Sequence, residues 1–387
     1  MIKTFFYVLY AQWKEMCSHT LFLYCMVILP LFTAWFFTDI MKDGLPTDMP
    51  IGVVDLDNSA TSRKIIRNLD AYQLSHVVAH YPNISVARKD IQLGKIYGFL
   101  YIPRHMEENL ISQRQPTVSY YYNTSVILAG SLLYKEMRQI TTLASAAVGS
   151  AKMQAMGLTP SQIKAMLQPI ATGVHPLDNP WLNYNYYLSS IIIPTCIMVF
   201  VFIMTAFSLG VELKYNTAKQ WMLRANNNIF IAYTGKMLPQ TLVYSIIMWA
   251  WQYYLFIYLG FPHNCSFGFI MLMGTLLVMA GQGFATLIFG LLPTLRMSMS
   301  ISALFAVLSF SITGFSFPID AMDKPLQILS WMFPMRSYYM IYQMNILHGF
   351  PVHYSWSYFI AITVFITLPC LVLYKIKKVY NEYVYLA

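Results

Sequence analysis

YLSSIIIPTCIMVFVFIMTAFSL, residues 187–209, is a run of 23 residues without a single charged side chain. As a helix rising 1.5 Å per residue it would be about 35 Å long, enough to cross a hydrocarbon core of about 30 Å. Five more runs approach that requirement: 21–37, 238–259, 267–291, 298–317 and 358–374, none with Asp, Glu, Lys or Arg. The whole 387-residue chain is 57% hydrophobic and only 11% charged, against about a quarter charged in soluble domains. This composition predicts an integral membrane protein and excludes disordered, collagen-like and nucleic-acid-binding classes. Four of the five cysteines (Cys17, Cys25, Cys196, Cys370) lie in or beside apolar runs, and no disulfide framework or zinc pattern is present.

Six spans put both termini on one side. The segments 1–20, 210–237, 292–297 and 375–387 carry ten Lys/Arg against three Glu, whereas the remaining connections hold 15 basic and 13 acidic residues. The positive-inside rule therefore predicts cytoplasmic termini and places 38–186 outside. The run 21–37 ends in Trp35, Phe36 and Phe37 and lacks a small-x-small cleavage site, so it reads as an uncleaved span. Ahead of it Ile2, Phe5, Phe6, Leu9, Trp13 and Met16 recur at helical spacing, with Lys3, Gln12 and Lys14 on other faces. Residues 1–20 are thus predicted to form an interfacial amphipathic helix.

The expected fold is a polytopic α-helical membrane protein of six transmembrane helices, with span 1 at 21–38 and spans 2–6 within 184–387. Between spans 1 and 2, residues 39–183 have soluble composition and the size of one domain. β-branched or aromatic runs at 51–55, 74–79, 96–102 and 117–122 alternate with helical patterns at 59–71, 86–95 and 104–113, which predicts an αβ domain. Helices at about 125–156 and 161–167 follow, and Pro169, Pro176 and Pro180 mark the linker back to the membrane. Asp57, Asn58 or Ser59 is expected to cap the first of these helices. Asp55 and Asp57 resemble the start of a calcium loop, but the twelfth position is Ile66, so capping is the expected role and no metal is. His76, His80, His105 and His175 are read as scattered, without carboxylate partners at helical spacing.

The predicted spans offer no charge for ion coupling. Gly235-Lys236 is followed by Met237 and lacks the glycine spacing of a P-loop, so any pumping needs a motor on another chain. His263, His348 and His353 are outer-side candidates for membrane-embedded catalysis, but none has a carboxylate close in sequence. An enzyme is not expected.

Two further stretches carry a resemblance: GVELKYNTAKQWMLRANNNIFIAYTGKMLP at 210–239 and TGFSFPIDAMDKPLQILSWMFPMRSYYMIYQMNILHG at 313–349. With IGVVDLDNSATSR at 51–63 and YGFLYIPRHMEENL at 97–110, they resemble the membrane (permease) subunit of ABC type-2 exporters, in the multidrug-type branch with a large periplasmic insertion. The resemblance implies an ATPase-coupling loop at 210–237 carrying Glu212, Lys214, Thr217, Trp221, Leu223, Arg224 and Lys236. Trp221 and Leu223 are expected to fill a groove on the ATPase, where an exposed apolar patch would otherwise be left. It further implies an outer re-entrant element at 313–350 built on Gly314, Pro318, Pro334 and Arg336. Two departures are visible, Asn216-Thr217 where the family often has Gly-Thr, and the Arg224–Asn228 run where it often has a Pro-hydrophobic-Ser turn.

What the resemblance implies for function is an ATP-driven exporter of the bacterial inner membrane, working by alternating access on an amphipathic or hydrophobic, drug-like or lipid-like substrate. This chain would bind no cofactor, ATP and Mg sitting on the partner ATPase. Its partners would be two ABC ATP-binding subunits, a second permease copy or sister permease, a periplasmic adaptor and membrane lipid, but no nucleic acid. Phe32, Trp35, Phe200, Phe310 and Phe315 are candidates for lining the pathway, while Gly274, Gly281, Gly283 and Gly290 are expected to allow close helix packing. The alternative reading is a non-transporting scaffold or receptor whose outer αβ domain binds a ligand or partner.

Overall fold

The computed structural model describes residues 2–112, 114–170, 173–175, 179 and 182–382. Pro176 and Pro180 of the expected linker lie outside the described residues. The chain divides into two units, Met1–Lys42 with Leu177–Ala387, and Asp43–Pro176. The first begins with α1 (Ile2–Ser18), α2 (Thr20–Leu23) and α3 (Leu29–Ile40), the last two joined by a π-helical turn at Tyr24–Ile28. Pro30 accounts for that turn: it has no N–H for the carbonyl four residues back and its ring crowds that group, so the helix widens just before it.

In the second unit the order is β1 (Met49–Asp55), α4 (Ala60–Asp70), β2 (Ser75–His80), α5 (Ile84–Gln92), β3 (Gly98–Ile102), α6 (Met106–Ile111), β4 (Ser119–Tyr122), α7 (Ile127–Ala155) and α8 (Pro160–Leu167). The sheet order is β2-β1-β3-β4, with β1 parallel to both neighbours and β4 antiparallel on β3. Parallel pairs need crossovers, which α4 and α5 supply. β1 is central, and Ile51, Val53 and Val54 on its two faces are fully buried, as a covered parallel strand requires.

Ser59, Asp55 and Asp57 take up the free amides at the starts of α4 and α6 and in the loop before α4. Ser59 accepts the Ser62 N–H at 3.0 Å and caps α4, while Asp55 accepts the N–H groups of Asp57 and Asn58 and the Ser62 hydroxyl. Asp57 reaches across to α6, taking the N–H of Met106 at 2.8 Å and of Glu107 at 3.3 Å. Among the described residues no three His, Cys, Asp or Glu side chains group as metal ligands. One histidine departs from expectation: His105 Nδ1 lies 2.8 Å from Glu108 Oε2, three residues on. His76 lies 3.2 Å from Asp70, a pairing six residues apart and so outside helical spacing.

The first unit resumes with α9 (Tyr184–Lys214), α10 (Ala218–Arg224), α11 (Ile229–Tyr253, extended by a π-turn to Tyr258), α12 (Phe267–Leu291), α13 (Leu295–Ser311), α14 (Lys324–Ser330), α15 (Pro334–Ile341), α16 (Trp356–Thr367) and α17 (Pro369–Glu382). Among the described residues four helical runs are long and apolar enough to cross a membrane: Thr20–Ile40, Tyr184–Lys214, Phe267–Leu291 and Val352–Glu382. The expected span at 298–317 is a shorter helix, because α13 ends at Ser311 and Gly314 turns the chain at φ +90°. The one at 238–259 lies in α11, whose buried stripe contains Gln240, Ser245 and Gln252. Close helix packing at the glycines is direct. A Cβ on Gly283 would lie 2.1 Å from the Phe365 carbonyl oxygen, and one on Gly290 2.4 Å from Val372 Cβ.

Candidate functional site

α9 runs on past its apolar stretch to carry Glu212 in its last turn. The chain then reverses through Asn216, at φ +57°, into α10, and Asn226 and Asn227, also left-handed, turn it back toward α11. Asparagine tolerates that region better than other side chains with a Cβ. The Asn227 N–H reaches back to the Met222 carbonyl at 2.9 Å, and Asn228 then caps α11 by accepting the Phe230 N–H at 3.0 Å. The Asn run is therefore the exit of one helix and the start of the next.

These turns lay α10 over a buried ion pair. Lys236 Nζ, fully excluded from solvent, donates to Glu212 Oε1 at 2.5 Å and to Gln12 Oε1 of α1 at 3.2 Å. It also sits 5.1 Å from the centroid of the Trp221 ring, so its three donors face an anion, an amide oxygen and a π-face. The second Glu212 oxygen accepts the Thr217 hydroxyl. Trp221 packs edge-on against Tyr380 of α17 at 5.4 Å, and the Tyr380 hydroxyl donates to the Leu209 carbonyl at 2.9 Å. The same cluster includes Val8 of α1, which comes so near α11 that a Cβ on Gly235 would sit 2.8 Å from Val8 Cγ1. The hydrogen bonds and ring contacts above thus join five helices, α1, α9, α10, α11 and α17, with Phe289 of α12 packed against Tyr380 at their edge. Two open cavities, of about 530 and 410 Å3, flank it and both reach Glu212 and Thr217.

Of the residues expected in a coupling loop, the structure brings Glu212, Thr217, Trp221 and Lys236 together. Lys214, Leu223 and Arg224 are exposed, and Leu223 at 74% is the largest apolar side chain that α10 presents outward. Trp221 corrects an expectation: only 4% of it is exposed, so it fills no partner's groove, because Lys236 and Tyr380 give its ring a better environment inside the chain. Gln12 and Tyr380 were not foreseen. Gln12, expected off the apolar face of α1, lies with Val8 and Met16, each four residues away, on the stripe of that helix that is buried. Tyr380 had no visible signal.

At the other element Arg336 Nη1 donates to the Thr313 carbonyl at 2.8 Å and closes the turn at Gly314. Phe315 stacks on Tyr187 at 4.5 Å, and the Tyr187 hydroxyl donates to the Phe315 carbonyl at 2.9 Å. Pro318 precedes a short 3-10 turn and Pro334 opens α15. The five aromatics expected to line a pathway do not form one group. Phe32 and Trp35 are an exposed pair on α3, Phe310 and Phe315 a second pair with Phe315 buried, and Phe200 lies half-buried on α9.

Residues 21–373 match the family model described as ABC-2 family transporter protein. Comparison with curated proteins gives no match.

Proposed function

The chain belongs to the ABC-2 transporter family, and we propose that it is the permease of an exporter in which α10 receives the stroke of a separate ATP-binding subunit. The observation that carries this reading is the seat of α10. One face of that helix is buried by Trp221 and Met222 over the Glu212–Lys236 pair, while Lys219, Gln220, Leu223 and Arg224 remain exposed for a partner. A displacement applied to the exposed face reaches α9 through Glu212, α11 through Lys236, α1 through Gln12 and α17 through Tyr380. A packed cluster with a discrete hydrogen-bond set transmits such a push as a rigid-body step.

In this reading the six spans are α2–α3, α9, α11, α12, α13 and α16–α17, with both termini cytoplasmic and the αβ unit outside, as the charge distribution supports. The membrane is the bacterial inner membrane. α1 lies along the interface, its exposed Ile2, Phe6 and Trp13 set for lipid. Transport proceeds by alternating access in a pair of permeases, on an amphipathic or hydrophobic substrate of the multidrug type, and ATP and Mg sit on the partner. An adaptor outside the membrane completes the assembly.

The test is reconstitution with candidate ABC ATP-binding subunits, comparing wild type with Glu212→Gln/Lys236→Met. The variant is expected to assemble and to hydrolyse ATP while transport falls at least about tenfold. Unchanged transport would remove the role of the pair, and failure of any ATP-binding subunit to co-purify with wild type would favour a receptor or scaffold.

A further inference from the structure

The αβ unit contains a groove that the caps and core described above do not use. It lies between α4, α6, α7 and the segment 114–118 leading into β4, with a volume of about 390 Å3. Its origin is a change of side-chain size along α7. The inward stripe of that helix reads Leu133, Met137 and Ile140 where it covers the sheet, all at most 4% exposed. One turn later it continues as Ala144 and Val148, still apolar but too small to reach α6. The floor left open is aliphatic, with Ile65, Met106 and Leu110 opposite.

Two cations stand in the groove lining, Arg114 and Lys152, and no Asp or Glu lines it. Among the described residues neither has an ion-pair partner. The carboxylate of Glu107, on α6, is engaged by the Thr61 hydroxyl at 2.7 Å. With the Thr61 and Thr141 hydroxyls bonded to Glu107 and to the Met137 and Arg138 carbonyls, a cleft with an apolar floor and two uncommitted cations calls for an occupant that is apolar along its length and negative at one end. No aromatic ring lines it, which excludes the stacking that a nucleobase would use. The volume is at the low end of the range for small-molecule sites, about 300–1,000 Å3, so it suits one chain or a few fused rings.

We propose that this groove is a binding site for a single-chain anionic amphiphile, its apolar portion on Ile65, Met106 and Val148 and its acid group on Arg114 and Lys152. The assignment stands on the αβ unit alone and holds or fails whatever drives the rest of the chain. A fully apolar ligand would leave both cations unused, and a cationic one would face them at close range.

The experiment uses the full chain in phosphatidylcholine nanodiscs and a diazirine-bearing dodecanoate as photolabel, with adducts mapped by peptide mass spectrometry. Labelling is expected in peptides covering 106–118 and 141–152. Unlabelled dodecanoate should compete at least about tenfold better than dodecanol or dodecyltrimethylammonium. Ala144→Trp, which fills the groove, should abolish labelling there. Arg114→Glu/Lys152→Glu, on exposed side chains that leave the core alone, should lower it by about tenfold or more. Equal competition by the cationic or neutral chain would overturn the proposal. So would labelling confined to other peptides, or labelling that survives the charge reversal in a protein whose β1–β3 amides exchange as in wild type.

Discussion

Lys236→Met removes the ammonium at the five-helix junction while keeping most of the side-chain volume. Glu212 then keeps only the Thr217 hydroxyl, and the Trp221 ring loses the cation beneath it. Both charged groups lie in the interior, at 0% and 6% side-chain exposure. Removing one partner of such a pair typically costs about 3–5 kcal/mol, whereas replacing both with neutral groups of similar volume is often nearly neutral. Because the inner face of α10, with Ala218, Trp221 and Met222, packs over this pair while its outer face is solvated, the loss should appear first as local opening of α10. At 1.4 kcal/mol per tenfold, 3–5 kcal/mol raises the opening constant by roughly two to three and a half orders of magnitude. Amide exchange across 218–224 in the full chain reads this directly. The single variant should exchange at least about a hundredfold faster there, and Glu212→Gln/Lys236→Met should return to within about tenfold of wild type. If single and double variants exchange alike, or if Lys236→Met leaves α10 as protected as before, the pair does not hold the helix down.

Leu223→Asp, at an exposed position on α10, should leave thermal stability within about 0.5 kcal/mol of wild type yet abolish co-purification of the ATP-binding subunit; retention of the partner would remove Leu223 from the docking face. Gly283→Ala should lower the melting temperature through a loss of about 1–3 kcal/mol or more, because the obstacle to its Cβ is the Phe365 backbone, while Gly268→Ala, with nothing within 4 Å, serves as the control on the same helix. Glu136 is buried on α7, one oxygen accepting the Leu74 N–H at 3.3 Å and the other without a partner among the described residues. Burial pushes its carboxyl above the ordinary 4.5. A raised carboxyl favours the protonated folded state, so its contribution is fully present below about pH 4.5 and is lost as pH rises through the folded value. Glu136→Gln should therefore slow exchange in β2 relative to wild type at pH 7.5, by an amount of order 1 kcal/mol, with the gap closing toward pH 4; a gap independent of pH would show that the charge is not the cause.

Elements fixed by local chemistry could be read from the sequence. The strands and helices of the αβ unit fall close to the β-branched runs and helical patterns, and Ser59, one of the three residues expected to cap the first helix, bonds the amide three residues on. Long-range pairings could not. Gln12 and Lys236 lie 224 residues apart and Tyr380 lies 171 from Leu209, so no window of hydropathy could show that Lys236 is the centre of a junction. Averaged over its neighbours Lys236 looks like a loop cation, and only the arrival of Glu212 and Gln12 makes its burial affordable in free energy. The same gap explains Trp221, whose exposure on a short helix was inferred without knowledge of the ring's partners. His105 and Glu108 are the opposite case, a pair three residues apart whose spacing is visible in the sequence.

A cluster of aliphatic side chains could seat α10 as firmly as the ion pair does, so firmness alone does not account for the charges. They add registry. Lys236 satisfies Glu212, Gln12 and the Trp221 ring together only at one setting of α1, α9 and α10 against α11, whereas apolar surfaces tolerate sliding and repacking. Leaving that setting means exposing the ammonium or hydrating it, and the two cavities that reach Glu212 offer water a route. A displacement that breaks the pair without hydrating it would leave both charges buried and alone, which is the costly arrangement. In the proposed exporter, a helix so mounted would pass on a displacement as a step and not as a graded strain. Glu212→Gln/Lys236→Met would then keep α10 seated but let it slide, and ATP turnover measured beside transport would show hydrolysis continuing while export fails; coupling that survives the loss of both charges would mean that packing alone sets the step.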